Sequence, residues 1–493
     1  MEPSIVRGTP PPCPERFNLA AYVLSAGRAV PEKEALRLVG AGRESWSYAR
    51  LIETVERVAG GLAAVGLERG DRLLLRLGNE VDFPLLFLGA NALGAVPVPV
   101  SAQLAAAELS PMIALLGPKM VALGEGLDLP PVKAPVLTDL AALRRAAPVG
   151  FADTAKDDPA YIVFTSGSGG RAKAVVHAQR AVWARRMMWE GWYGLTPDDV
   201  LFHAGAFNWT YTLGTGLMDP WAAGVTALIR RDGALPEVIA AERPTIFAAV
   251  PGVYRQILKW DGDLHVACAS LRHGLSAGES LQASLRAEWR RRTGLELHEA
   301  LGMTEVSTYV SSSPARPAPD GITGWPQPGR SVAVLDENGP VPRGDPGELA
   351  VHASDPGLML GYLGEDPPRD WFCTGDRVEM LEDGAIRYLG RTDDLMTAQG
   401  YRVSPLEVEA ALEALPEVAE AGVCEVSPKP GTRIIAGFIT GPADAAGVKA
   451  QLAARLAAYK CPKHIQIVAD LPRGPTGKLA RRALPALYDP ELP

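Results

Sequence analysis

Cysteine is scarce in this chain. Its five copies, Cys13, Cys268, Cys373, Cys424 and Cys461, lie far apart and form no CxxC pair. Scattered thiols in odd number exclude a disulfide scaffold, argue against a cysteine-held metal and fit a reduced, cytoplasmic protein. A basic excess is also missing: 49 Lys and Arg stand against 57 Asp and Glu, for a formal net charge of −8. That removes the basic stripe expected of a nucleic-acid binder. Long apolar runs are absent too. The most apolar stretch, residues 83–100, is broken by Pro84, Asn91, Pro97 and Pro99. It reads as a buried helix followed by a strand, with no integral membrane association. Residues 1–18 carry several prolines and no apolar core, so no secretory signal is read there. His265, His273, His298, His352 and His464 show no ligand spacing. A Gly-x-Ser-x-Gly elbow in a strand-to-helix setting is likewise missing.

What is present is a soluble globular composition, 47% hydrophobic and 22% charged, in a chain of 493 residues. That length exceeds one ordinary core, so more than one domain is expected. Residues 46–67 repeat apolar side chains at helical spacing through Tyr48, Leu51, Ile52, Val55, Val58 and Leu62. A strand at 72–77, a helix at 85–93 and a strand at 95–100 follow, and the alternation recurs through 200–249. Such alternation predicts α/β layers with a mostly parallel sheet. From about residue 326 the pattern changes to short strands at 329–335, 347–352 and 385–389 between Asp/Gly/Asn turns, a β-rich subdomain. Beyond residue 391 a compact α+β unit begins, with helices at 405–415 and 445–458.

The stretch that organises the chain is 161–177. A strand-type run at 161–164 leads into Thr165, Ser166, Gly167, Ser168, Gly169 and Gly170, then Arg171 and Lys173, then a second strand at 174–177. Glycines let backbone N–H groups approach an anion, hydroxyls add donors and Lys173 adds a point charge. The loop is suited to polyphosphate. It is not the P-loop, whose Gly-Lys-Ser/Thr opens a helix. It resembles the phosphate loop of the acyl-adenylate-forming enzymes: acyl-CoA synthetases, peptide-synthetase adenylation domains and luciferases. Ser168, Gly169, Ala172 and Ala174 depart from the usual residues. His177 closes the second strand, where a solvent-facing position and a functional one are both open.

Further motifs follow in that family's order. Gly302-Met303-Thr304-Glu305, which follows a helix read at 281–292 and a strand read at 295–297, resembles Tyr-Gly-x-Thr-Glu. The resemblance implies that Thr304 meets phosphate and Glu305 holds Mg2+. Leu301 replaces the adenine-stacking tyrosine, as an aliphatic residue does in benzoate-type acyl-CoA ligases. Trp371-Phe372-Cys373-Thr374-Gly375-Asp376 resembles Trp-x-x-Thr-Gly-Asp, with Asp376 on the ribose hydroxyls. Gly390-Arg391-Thr392-Asp393-Asp394 resembles the hinge, with Arg391 near ribose or phosphate and Asp393 absorbing the backbone change. Gly400 and Tyr401 match the segment that faces coenzyme A. Ser404 is read as the N-cap of the following helix and Pro405 as its first residue. Lys478, in Pro-Arg-Gly-Pro-Thr-Gly-Lys, matches the C-terminal lysine that bridges the acid and the α-phosphate. In the acyl pocket, Tyr211 matches a benzoate-type segment, with Trp209, His203 and Gly278 nearby.

The resemblance implies residues 1–390 as a large N-terminal domain of layered α/β sheets, with the β-rich subdomain at about 326–390. A hinge at 391–394 and a small mobile α+β C-terminal domain at 395–493 complete it. It implies an AMP-forming acyl-CoA synthetase using ATP, Mg2+ and coenzyme A on a small carboxylic acid, an aromatic or medium-size apolar one favoured by Tyr211 and Trp209. Three alternatives stand beside it: loading of a carrier-protein phosphopantetheine, a luciferase-like oxygenase, and a catalytically lapsed nucleotide-binding homologue. A homodimer is compatible with the sequence, though no feature of it decides the oligomeric state.

Overall fold

The helical stripe at residues 46–67 folds as Tyr48–Ala64, started by Ser47, whose hydroxyl accepts the Arg50 N–H at 3.3 Å. Tyr48, Leu51, Ile52, Val55, Val58 and Leu62 are all buried, each side chain contributing about 1.5–3 kcal/mol of apolar burial. The helix packs on Asp82–Ala92, which is apolar on every side and buried throughout from Phe83 onward. The computed structural model describes residues 2–40, 42–166, 172–392, 396–398, 401–429, 432–453, 455–456, 460–474 and 477–489.

Arg72–Arg76, Val96–Val100, Met120–Leu123 and Val136–Leu137 form a parallel sheet. Val96–Val100 lies at its edge, which explains its prolines: Pro97 and Pro99 oppose Leu73 and Leu75 and need no N–H for a strand beyond. A larger mixed sheet carries parallel strands at its centre, running in the order Leu297–Met303, His273–Ala277, Ile246–Ala249, Val200–His203, Thr226–Arg230 and Glu34–Val39. Antiparallel strands, Ser307–Ser311 on one side and Glu44–Ser47 on the other, extend it. Pro159–Ser166 and Ala172–Ala178 form an antiparallel hairpin.

The β-rich part is an antiparallel sheet of Ile5–Val6, Val332–Asp336, Pro346–His352, Trp371–Met380 and Ile386–Arg391. Beyond it, Glu420–Lys429, Thr432–Thr440 and His464–Ile467 make a sheet backed by helices Pro405–Glu413 and Ala445–Ala453. That unit has its own apolar core around Val408, Leu412, Ile435, Ile439, Val448 and Leu452.

Three local readings are corrected. The Ala445–Ala453 helix ends before residue 458. Ser404 does sit at the N-cap position, with Pro405 first in the helix, but its hydroxyl donates to the Leu389 carbonyl instead of capping. His177 does not face solvent: it is buried and stacked on Tyr161, ring centroids 4.5 Å apart. Tyr161 is its cross-strand partner, and the stack explains why an imidazole is tolerated there. Burial takes its pKa down to about 3, Arg185 adding to the fall, so the ring is neutral.

Candidate active site

Thr165 and Lys173 face each other across the hairpin. The residues joining its strands, 167–171, include Gly167, Ser168 and Gly169 and lie outside the described residues, as does the side chain of Ser166. The short strand Gly361–Tyr362 adds to the hairpin at Val175 and Val176. It brings in a residue that sequence reasoning missed. Tyr362 places its ring 4.3 Å from the exposed Lys173 ammonium, a cation–π contact. Its hydroxyl donates to Glu305 Oε1 at 2.9 Å. Burial and then the Glu305 charge raise the phenol's pKa, so it keeps its proton. The phosphate-loop lysine and the carboxylate of the Thr-Glu motif are therefore linked through one aromatic side chain.

The Thr-Glu motif itself sits differently from the sequence expectation. The strand does not stop at Leu297 but runs Leu297–Met303, so Leu301 and Gly302 belong to it. Its register shifts between Leu301 and Gly302, and Thr304 and Glu305 form the turn that follows. A side chain at Gly302 would collide with the Ser307 carbonyl and Thr308, which is why this position is glycine. Leu301 packs against the core of the β-rich sheet. Thr304 is half-buried, and its backbone lies beside the buried ring of His177. Glu305 is buried.

Asp376 lies on Trp371–Met380, opposite Arg391 across the antiparallel pair. Arg391 Nη1 reaches Asp376 Oδ1 at 3.1 Å and the Thr374 carbonyl at 2.7 Å. The Tyr388 hydroxyl reaches the same Oδ1 at 3.3 Å. Burial raises the pKa of Asp376 against the pull of Arg391, Tyr388 and Thr374. Gly375 has φ +75°, and a Cβ there would strike the Arg391 guanidinium. Gly375→Ala combines left-handed strain of about 1–2 kcal/mol with displacement of Arg391. We expect the KM for ATP to rise about tenfold while far-UV circular dichroism is unchanged.

Lys478 comes from the far end of the chain to a cleft between its two parts. Its tight turn is closed by the Gly474 N–H to the Lys478 carbonyl at 2.8 Å. A Cβ built at Gly278, the left-handed residue after His273–Ala277, would lie 3.8 Å from Lys478 Nζ. Lys478 stays open to solvent along its side chain. Crowding by the cleft walls lowers its pKa, with the charges of Glu279 and Asp376 opposing the fall. The cleft holds about 810 Å³ and is lined by both parts of the chain, among them Glu279, Leu281, Tyr388, Arg473 and Lys478.

Of the expected acid pocket, Tyr211 stacks on the buried Trp192 at 5.7 Å. His203 meets Tyr211 edge-to-face at 4.3 Å. His203 Nδ1 accepts the Gly205 N–H at 2.9 Å, so the proton of the neutral ring sits on Nε2. Burial, helped by Arg185, lowers this imidazole's pKa to about 3. Trp209 is half-buried just before helix Thr210–Leu213. The hinge candidate Asp393 and Gly400 lie outside the described residues; Tyr401 is on strand Tyr401–Val403, its side chain not described.

The hydroxyl-rich hairpin and the Thr-Glu turn fall within one family model and the tail lysine ends a second, while Asp376 lies between the two matched ranges. Residues 25–363 match the AMP-binding enzyme model, and residues 407–478 match the AMP-binding enzyme C-terminal domain. The chain belongs to the AMP-binding enzyme family. Among relatives of this AMP-binding enzyme is the benzoate–CoA ligase of Thauera aromatica, 30% identical over 96% of this chain and 97% of that one. The crystal structure of a benzoate CoA ligase from Burkholderia xenovorans LB400 is 28% identical, with a TM-score of 0.84 over 95% of this chain and 99% of that one. ATP-bound MatB from Rhodopseudomonas palustris is 28% identical, with a TM-score of 0.86 over 96% and 99%. Among the described residues no helix is long and apolar enough to cross a membrane.

Proposed function

We propose that this AMP-binding enzyme is an ATP-dependent, AMP-forming acyl-CoA synthetase for an aromatic or medium-size apolar carboxylic acid. The carrying observation is that Lys478 lies in the cleft with Glu279, beside Gly278 and within the field of Asp376. An acid and an α-phosphate repel, and an ammonium between them stabilises the transition state. Lys173, with Thr165 and the 167–169 loop, holds the pyrophosphate end. Thr304 positions the phosphates. Asp376 accepts the ribose hydroxyls, supported by Arg391, while Gly302 and Leu301 border the base.

Magnesium fits Glu305. No cluster of three or more His, Cys, Asp or Glu able to hold a metal exists among the described residues. A single buried carboxylate, oriented by Tyr362, suits an ion that takes its remaining ligands from phosphate and water. Bound there, the ion would neutralise charge on the phosphates. Tyr211 and Trp209 form the acyl pocket, His203 supporting Tyr211, and the likeness to benzoate–CoA ligases favours an aryl acid.

Domain division at 391–394, with residues 1–390 before it and 395–493 after it, lets the small unit turn about Asp393. Gly400 and Tyr401 then face the adenylate for attack by the coenzyme A thiolate. Five free thiols suit the cytoplasm. The test is pyrophosphate release across aliphatic, branched and aryl acids with coenzyme A present. Turnover is expected with aryl or medium-size apolar acids; turnover only with acetate or a dicarboxylate overturns the acid assignment.

A further inference from the structure

The tail unit is held over the cleft by a polar chain that starts in the middle of helix Pro251–Leu258. Arg255 lies there with only 18% of its side chain exposed. Its guanidinium sits 3.5 Å from Glu279 on the large unit and 3.5 Å from Glu420 on the small one. Its Nη1 also donates to Gln282 at 3.3 Å. Glu420 in turn receives Arg473 at 2.8 Å, and Arg473 donates to the Gly477 carbonyl at 2.9 Å. Gly477 is the residue before Lys478. A second strand of the chain runs through Gln282, which donates to Glu413 at 2.7 Å; Glu413 also receives the Ala421 N–H at 3.0 Å. The first turn of the same helix faces the lysine turn directly: a Cβ on Gly252 would lie 3.6 Å from the Gly477 carbonyl.

We propose that Arg255 is a positioning residue for acid activation. It clamps Glu420 and, through Arg473, sets the turn that delivers Lys478, while its contact with Glu279 fixes the wall that Lys478 faces. The proposal rests on the synthetase reading. Contacts made in only one domain orientation shift the population toward it by their own strength. An orientation in which the small unit has swung away separates Glu420 and Glu413 from Arg255 and Gln282. The clamp therefore favours the activating orientation and contributes nothing to thioester formation. The pairs are partly screened, so the clamp is worth a modest factor, small enough to be released in each cycle.

The test measures both half-reactions separately in Arg255→Gln, Glu420→Gln and the double variant. Arg255→Gln is expected to lower kcat for acid-dependent pyrophosphate exchange about tenfold, with the KM for ATP and the melting temperature unchanged. Conversion of synthetic acyl-AMP and coenzyme A to thioester should keep the wild-type rate. Glu420→Gln should lose part of the same factor, since Arg255 keeps Glu279, and the double variant should fall no further than Arg255→Gln, because the Glu420 contact is already lost there. Equal loss of both half-reactions, or losses that multiply in the double variant, would overturn the clamp. Absence of pyrophosphate exchange in the wild-type protein would overturn the synthetase reading instead.

Discussion

Lys478→Ala is expected to reduce acid-dependent pyrophosphate exchange by about two to three orders of magnitude, the usual cost of removing one preorganised charge from a transition state. The same variant should convert synthetic acyl-AMP and coenzyme A to thioester at close to the wild-type rate. The reason is geometric. In the orientation seen here the amine lies by Gly278 and within the field of Glu279 and Asp376, where an acid and an α-phosphate would meet. Once the anhydride exists, that meeting is over, and the thiolate needs an open path rather than a cation. Lys478→Arg keeps the charge but not the compact ammonium, and should recover only part of the loss. Equal loss of both half-reactions in Lys478→Ala would show that one orientation serves both steps.

Sequence patterns disclosed those parts of the molecule whose cause is local. The helical stripe that begins at Tyr48 needs only a buried face: Leu51, Val55, Val58 and Leu62 land with it in one core. Pro97 and Pro99 excluded a membrane helix by their chemistry alone, and the edge position of their strand agrees with it. Lys478 could be singled out because its motif is contiguous, and its amine lies near Gly278. Tyr362 was not, because its value comes from Glu305, 57 residues away, and Gly-Tyr in a loop carries no signal of that partner. Arg255 was hidden for the same reason, its partner Glu420 lying in the other unit. His177 shows a different limit. Val-Val-His at a strand end looks alike whether the ring meets water or an aromatic neighbour, and only the pairing with Tyr161 decides. Ser404 shows a third: the residue type marked the helix start, but the Leu389 carbonyl took its hydroxyl.

Asp219→Ala is expected to destabilise the large unit by about 3–5 kcal/mol, read as a lower urea midpoint, because it leaves Arg185 charged and unpaired in the core. The side chains of Arg185 and Asp219 are 3% and 1% exposed. Arg185 Nε and Nη2 reach Asp219 at 2.8 and 2.6 Å. The Tyr193 hydroxyl donates to Asp219 at 2.6 Å, and Tyr193 and Thr215 meet at 2.8 Å. Burial opposes the charge on Arg185, but Asp219 and Tyr193 more than offset it and raise its pKa. Arg185 also donates to Ser307, a left-handed residue just past Glu305. A Cβ on Gly214 would overlap the guanidinium, so the site has no room for the arginine to swing out. Replacing both partners with apolar residues, Arg185→Met with Asp219→Leu, removes the lone charge and should recover most of the stability. It should not recover full activity, since Ser307 loses its anchor and the Glu305 turn loosens with it. If the double variant is as unstable as Asp219→Ala, mutual attraction within the pair, rather than the penalty on a lone buried charge, is what holds this part of the fold.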